Sequence, residues 1–418
     1  MIRKFVENNK YKVEKTYFIF SRLAGLGTKS LLILILIKTG HSEDSYAISL
    51  YYLCLTSTMV LYNNEAYYDF YKNQFGKDAS VYKLLKSKIL YVNSFIVHVI
   101  IFALLVFIGN YILTQNIRIS IFFLILITLE KLLDEIQRYN LFAKQFSKWS
   151  SVFLTYTLLS PLLASCFVLI KSDNIWMIYL SCLLITLVII IYFSLPSFFI
   201  HRGIKVLKSM KQSTINEYLR TYKDKYIYNQ ILAYTSNNIL IFDKWLLVLV
   251  SNEKQLLAGY YLISQFANAI NLVIDHFFIS VKKAYFVQRG LSFNEIIDGG
   301  KLILLGAGAF IVYVCGISLF LSFQEKPNLL SIQQSIIIGL IFLIYAIFSP
   351  IFQYLFWHIP RIKMIYIDIS FYVSTVTLTT ILHYLFALNF ISSIIISSLL
   401  AHVIRSILLY LSFSCIEK

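Results

Sequence analysis

The chain has 418 residues, 58% of them hydrophobic and only 14% charged, with 37 Lys and Arg against 21 Asp and Glu and a mean hydropathy of +0.72. Soluble domains carry nearer a quarter charged residues, so these proportions exclude an ordinary soluble enzyme and indicate a polytopic membrane protein. At about 20 apolar residues per spanning helix, about 242 apolar side chains furnish roughly a dozen spans and leave little for any extramembrane domain.

Apolar runs predict spans at about 17–37, 45–66, 87–112, 117–140, 149–170, 175–199, 227–250, 257–281, 300–322, 331–357, 363–385 and 390–414. The first run follows a basic, polar stretch, as a signal peptide would. It contains Arg22 and Lys29 and eleven further runs follow, so it reads as an uncleaved first helix. With residues at the span edges counted to the adjoining connection, the N-terminal stretch, the connections after even-numbered spans and the C-terminal tail hold 26 of the 37 basic residues. The connections after odd-numbered spans hold only Lys38, Arg118, Lys171, Lys254 and Lys326. Short loops rich in Lys and Arg stay cytoplasmic, so this alternation predicts twelve spans with both termini inside. It also accounts for most of the +16 net charge as a topology signal and an attraction to anionic lipid heads, with no nucleic-acid partner required.

The longest cytoplasmic connection, His201 to Lys225, predicts a division into 1–200, a basic linker 201–225, and 226–418. The halves share a faint repeat. Lys29-Ser-Leu-Leu-Ile-Leu-Ile in the first span aligns with Lys244-Trp-Leu-Leu-Val-Leu-Val in the seventh, and Leu50-Tyr51-Tyr52 and Gly259-Tyr260-Tyr261 follow in the next spans. The expected fold is all-α: two six-helix bundles of like orientation around a central cavity.

Charges inside a span are costly and face a cavity, a partner or the interface. Phe18, Arg22, Gly25 and Lys29 fall on one face of the first span. Snorkelling to the interface suits Arg22 but not Lys29, some thirteen residues in, so a cavity-facing basic stripe is expected. The seventh span carries Gln230, Tyr234, Asn237, Asp243 and Lys244, with Lys244 in the place of Lys29 and Asn237 in that of Arg22. In the eighth, Gln265, Asn268, Asn271 and Asp275 form a stripe whose amides also suit interhelical hydrogen bonding. At the end of the fourth, Lys131 with Glu135 and Asp134 with Arg138 are spaced to pair along the helix, a structural arrangement. Asp368 and Arg405 lie in the inner halves of their spans and are expected to snorkel. Pro161 and Pro350 are expected to interrupt and kink their spans. The five cysteines lie in apolar runs with no metal spacing and read as buried packing residues. No Walker loop, H-E-x-x-H or G-x-S-x-G is present, so no ATP hydrolysis is encoded, and no metal, cofactor or catalytic residue is expected. Gly25-Leu-Gly27 and Gly306-Ala-Gly308 read as helix contacts.

Ser21-Arg22-Leu-Ala-Gly-Leu-Gly in the first span, Phe242-Asp243-Lys244 in the seventh and Leu257-Ala-Gly-Tyr-Tyr-Leu-Ile-Ser264 in the eighth resemble the multidrug/oligosaccharidyl-lipid/polysaccharide exporter superfamily, and within it the Wzx-type polysaccharide flippases. The resemblance implies a transporter and not an enzyme. It would sit in the bacterial inner membrane and move an undecaprenyl-diphosphate-linked oligosaccharide outward by alternating access, coupled to an ion gradient. Membrane lipids and other polysaccharide-assembly proteins would be its partners. A diphosphate needs fixed cations in a hydrated cleft, which Arg22, Lys29 and Lys244 with Asn237 could supply. Asp275, and less readily Asp243, are the ion-coupling candidates. The alternatives are a multidrug cation antiporter of the same superfamily, which would prefer an acidic cavity, and a polymerase or ligase acting on lipid-linked sugars, for which the short external connections leave no catalytic loop.

Overall fold

The computed structural model describes residues 24, 27–63, 81–142, 146–169, 174–194, 220, 227–250, 254–275, 278, 293–322 and 330–417; some helical side chains, among them those of 81–90 and 138–150, fall outside that description. Among the described residues every regular element is helical. Besides two 3-10 turns and a single-turn helix at Phe293–Ile296, these are in chain order α1 (27–38), α2 (Ser42–Thr58), α3 (Val81–Thr114), α4 (Ile117–Phe142), α5 (Phe146–Leu169), α6 (Ile175–Ser194), α7a (Ile227–Asn238), α7b (Phe242–Val250), α8 (Lys254–Ile274), α9 (Gly299–Ser322), α10 (Ile332–His358), α11 (Arg361–Tyr384) and α12 (Phe390–Glu417). Seven stretches of the described residues are long and apolar enough to cross a membrane, the longest Ile332–His358 and Phe390–Ile416.

Local chemistry sets the helix ends. Gly40 adopts φ +86° after α1, so His41 N–H reaches Leu36 O at 2.9 Å and Gly40 N–H reaches Ile37 O, the two bonds that close a helix C-terminus through a left-handed residue. Ser331 and Gln334 form a reciprocal capping box at the start of α10. Hydroxyls within helices mostly turn back on their own carbonyls, as Ser57 does on Leu53 and Thr375 on Phe371, so they add no open polarity inside the membrane. Outward faces are apolar, with Leu304 76% and Val312 72% exposed, as a surface facing hydrocarbon requires.

Two compact units comprise Met1–Ile35 with Leu50–Tyr234, and Leu36–Ser49 with Thr235–Lys418. In the first, α4 packs on α3, α5 and α6; in the second, α8, α9 and α10 pack together and α12 lies against α10, α11 and α7b. Gly306 is a helix contact, its face closed by Leu343, Ile347 and Ile274, whereas Gly27 and Gly308 open onto free space.

Four expectations change. The second and seventh spans are not continuous α-helix: each contains a 3-10 turn, Met59–Tyr62 and Ile239–Ile241. Helix continues through Pro161 and Pro350, since a buried proline forfeits one hydrogen bond without ending a helix that neighbours support. Only Cys54 is buried; Cys166, Cys315 and Cys415 are exposed, because a thiol is apolar enough to face lipid. Asp368 and Arg405 do not snorkel. They are 0% and 3% exposed and bonded to each other at 2.9 Å, since a partner on the next helix neutralises each at depth.

Candidate functional site

In the first unit, Lys29 stands on α1 beneath a cluster of tyrosines. Its Nζ lies 4.6 Å from the centroid of the Tyr52 ring and 5.8 Å from that of Tyr156. Thr28 beside it donates to Thr157 O at 2.9 Å, which fixes α1 against α5. Tyr51 and Tyr52 of α2 are both fully buried. Tyr51 donates to Glu130 Oε1 of α4 at 2.7 Å and Tyr52 bonds the Tyr179 hydroxyl of α6. The buried Tyr156 hydroxyl has no hydrogen-bond partner among the described residues. Among the described residues no carboxylate stands within ion-pair distance of Lys29. Glu130 is its electrostatic counterpart at longer range, and ring faces hold the ammonium. The arrangement leaves a cation with spare donors beside flat aromatic surfaces, the chemistry that suits a phosphate oxygen and a sugar ring.

The floor of this cluster is built at the end of α2. The 3-10 turn Met59–Tyr62 leaves carbonyls off the helical ladder; Gln230 Nε2 of α7a donates to Val60 O and Leu61 O at 3.0 and 3.1 Å, and His98 Nε2 bonds Leu61 O at 2.7 Å. Gln230 and His98 therefore serve backbone geometry. Next to Glu130 on α4, Lys131 is fully buried and contacts Glu135 at 2.6 Å, Asp134 at 2.8 Å and Asn63 at 2.7 Å, and Tyr91 donates to Glu135. The predicted Lys131–Glu135 pair forms, and Lys131 with its two carboxylates is a structural node. The predicted Asp134–Arg138 pair involves a side chain outside the described set.

In the second unit, Lys244 is 2% exposed and saturated. Its Nζ contacts Asp243 Oδ1 at 3.1 Å and Leu240 O at 2.9 Å, a carbonyl freed by the 3-10 turn, and lies 4.8 Å from the centroid of Tyr260. Tyr260 donates to the other oxygen of Asp243. Lys244 and Asp243 thus compensate each other. Asn237 is exposed at the end of α7a, and Gln265, Asn268, Asn271 and Asp275 are half-buried along α8, with Asn271 donating weakly to Asn268 at 3.5 Å. Arg22, with Phe18 and Gly25, lies outside the described residues. Lys29 belongs to one unit and Lys244 to the other.

Two pairings cannot be read from the sequence. Glu130 adjoins Lys131 in the sequence, but adjacent helical positions point about 100° apart and its side chain meets α2. Asp368 and Arg405 carry opposite charges in consecutive spans, a signal visible only when spans are compared with each other. Asp368 also accepts Thr235 Oγ1 at 3.1 Å, so the pair ties α11 and α12 to α7a.

No protein-family model matches the sequence, and no curated protein matches it. The fold is similar to that of the eukaryotic MATE transporter AtDTX14, at a TM-score of 0.56 and 13% identity over 96% of this chain and 95% of that one. A Vibrio cholerae MATE transporter, VcmN, aligns at 0.49 and 11% identity over 97% and 95% of the two chains. An inward-facing multidrug resistance MATE family transporter of the MOP superfamily aligns at 0.46 and 12% over 97% and 94%. The first likeness shows the fold: this is an all-α polytopic membrane protein built as twelve-helix transporters are.

Proposed function

We propose that the chain is a flippase that carries undecaprenyl-diphosphate-linked oligosaccharide units across the bacterial inner membrane by alternating access, with both termini cytoplasmic. The observation that carries this reading is Lys29: a lysine on a membrane helix, held by tyrosine rings and with no carboxylate at ion-pair distance among the described residues. An anionic headgroup would complete its coordination. Asn237 and, outside the described residues, Arg22 remain candidates for further headgroup contacts; Lys244 contributes less, being already paired with Asp243.

A second reading, export of organic cations, draws on Glu130 and the same ring faces, which together attract positive charge once Lys29 moves aside. Flux assays separate the two. In proteoliposomes, a fluorescent undecaprenyl-diphosphate oligosaccharide should become accessible to an external glycosidase only where the protein is present, and Lys29→Ala should abolish this. Uptake of a lipophilic fluorescent cation, unaffected by the glycolipid and lost in Glu130→Gln, would establish the second reading instead.

A further inference from the structure

Three helices of the second unit meet at one carboxylate. Asp368 of α11 accepts Arg405 Nε of α12 on Oδ1 at 2.9 Å and Thr235 Oγ1 of α7a on Oδ2 at 3.1 Å. Tyr372, one turn further along α11, donates to the Thr235 carbonyl and reinforces the tie to α7a. The Arg405 guanidinium has a second environment within reach: it lies 5.1 Å from the Phe352 ring centroid and 5.8 Å from that of Tyr345, both on α10. Among the described residues, the other titratable groups facing the pair are His402 on α12, Tyr345 on α10 and Tyr372 on α11. His402 is 1% exposed and its Nε2 has no hydrogen-bond partner among the described residues. Lys244 on α7b acts on His402, and Asp275 at the end of α8 acts on Tyr345, each from further away, and Lys244 is paired with Asp243.

A buried ion pair contributes little net stability, because desolvation offsets its attraction, but losing one charge leaves the other without compensation. This pair is made through Nε to one oxygen, without the two-point geometry that locks an arginine on a carboxylate. We propose that Asp368 is a proton-binding site that decides which helix Arg405 holds. With Asp368 ionised, Arg405 ties α12 to α11. When a proton from bulk water binds Oδ2, the cluster passes from zero net charge to one positive charge. The Thr235 hydrogen bond then reverses polarity, with the acid donating, and Arg405 turns to the ring faces of α10. No other bond changes, and the proton leaves by the same oxygen. The guanidinium fixed on Oδ1 favours a proton over a metal cation, because a metal ion would stand beside a like charge whereas a proton adds only to the carboxylate. This places the coupling proton on Asp368 rather than on Asp275 or Asp243, and it depends on no particular substrate.

The test uses protons alone. Full-length protein in nanodiscs, with native cysteines replaced, carries spin labels at Val373→Cys on α11 and Ile407→Cys on α12, both on exposed faces. An alkaline-to-acid step should change the label distance and bring up a protonated-carboxyl infrared band. Asp368→Asn should abolish the band and fix the distance, and Asp275→Asn should leave both responses intact. Asp368→Leu/Arg405→Leu, an apolar pair that should keep the fold, should lose both responses at near-normal thermal stability. Persistence of the band and the distance change in the double variant, or the absence of any response in the unsubstituted protein, would overturn the proposal. The glycolipid flux assay is separate, so failure of one reading does not disguise failure of the other.

Discussion

The two units contain the same Tyr-Tyr-Leu sequence, Tyr51-Tyr52-Leu53 on α2 and Tyr260-Tyr261-Leu262 on α8, and use it differently. In each, the first tyrosine is buried and donates its hydroxyl to a carboxylate, and a lysine lies over a tyrosine ring. The origin of the acid differs. Glu130 comes from α4 and lies beyond ion-pair distance of Lys29, whereas Asp243 directly precedes Lys244 and bonds it. A lysine with its own counterion and a freed carbonyl is structural. A lysine held only by ring faces retains affinity for an anion. Both units thus place a lysine over a tyrosine ring and a tyrosine hydroxyl on an acid, but among the described residues only Lys244 of the two lysines has a carboxylate at ion-pair distance.

The sharpest way to break that contrast is to delete each lysine. Lys244→Ala leaves Asp243 buried with only Tyr260 and its own helix for company, and removing one member of a buried pair costs about 3–5 kcal/mol. A large fall in the unfolding temperature in detergent is expected. Lys29→Ala removes only cation–π contacts, about 0.5–2 kcal/mol, so its unfolding temperature should fall far less. A lost charge-assisted bond of about 1.5–3 kcal/mol to a phosphate oxygen should still lower glycolipid affinity roughly tenfold to a hundredfold. Equal destabilisation by the two substitutions, with equal transport, would remove the distinction.

Much of the fold was legible because membrane helices announce themselves as long apolar runs: α6, α9, α10, α11 and α12 start and stop within a few residues of the predicted spans. The 3-10 breaks were not. Asn238-Ile239-Leu240-Ile241 contains neither Gly nor Pro, and the turn is stabilised by side chains remote in sequence or a turn away, such as Lys244 on Leu240 O. Of the site, Lys29 was legible because its depth in the span defeats snorkelling. The Lys131 cluster was legible because its members are three and four residues apart. Asp368 with Arg405, 37 residues apart, and Tyr51 with Glu130, 79 apart, were not, since pairing across helices leaves no local spacing to read.

Smaller effects sharpen the comparison by testing what the two scaffolds share. Tyr51→Phe and Tyr260→Phe each remove one hydroxyl donor to a buried carboxylate and should each cost about 1.5–3 kcal/mol, the value of a hydrogen bond to a charged group. Their functional consequences should diverge. Tyr51→Phe loosens Glu130 beside Lys29 and should alter transport, whereas Tyr260→Phe perturbs a group already neutralised and should be read in thermal unfolding alone. Similar transport defects in both would show that the second unit's cluster also meets the ligand.

The smallest effect belongs to an exposed acid–lysine pair, Asp298 with Lys301 at 3.0 Å before and within the first turn of α9. Asp298 Oδ1 accepts the Lys301 backbone N–H at 3.1 Å, capping the helix, and that bond, aided by the Lys301 ammonium, lowers the carboxyl pKa. A folded pKa below the unfolded value means the contribution to stability is fully present above the ordinary carboxylate range and is lost as pH falls through the depressed value. Asp298→Asn keeps an oxygen acceptor for the cap and removes the charge, so it should abolish this acid-side slope and lower stability near neutrality only by the small charge-dependent part. The check is unfolding temperature against pH at low and high salt. Both ends of the pair are largely exposed, so added salt should shrink the Lys301 share and spare the backbone bond. The buried Asp243–Lys244 pair should show no comparable salt dependence. A salt response of equal size at the two pairs would contradict the burial that separates a neutralised core lysine from a solvated one.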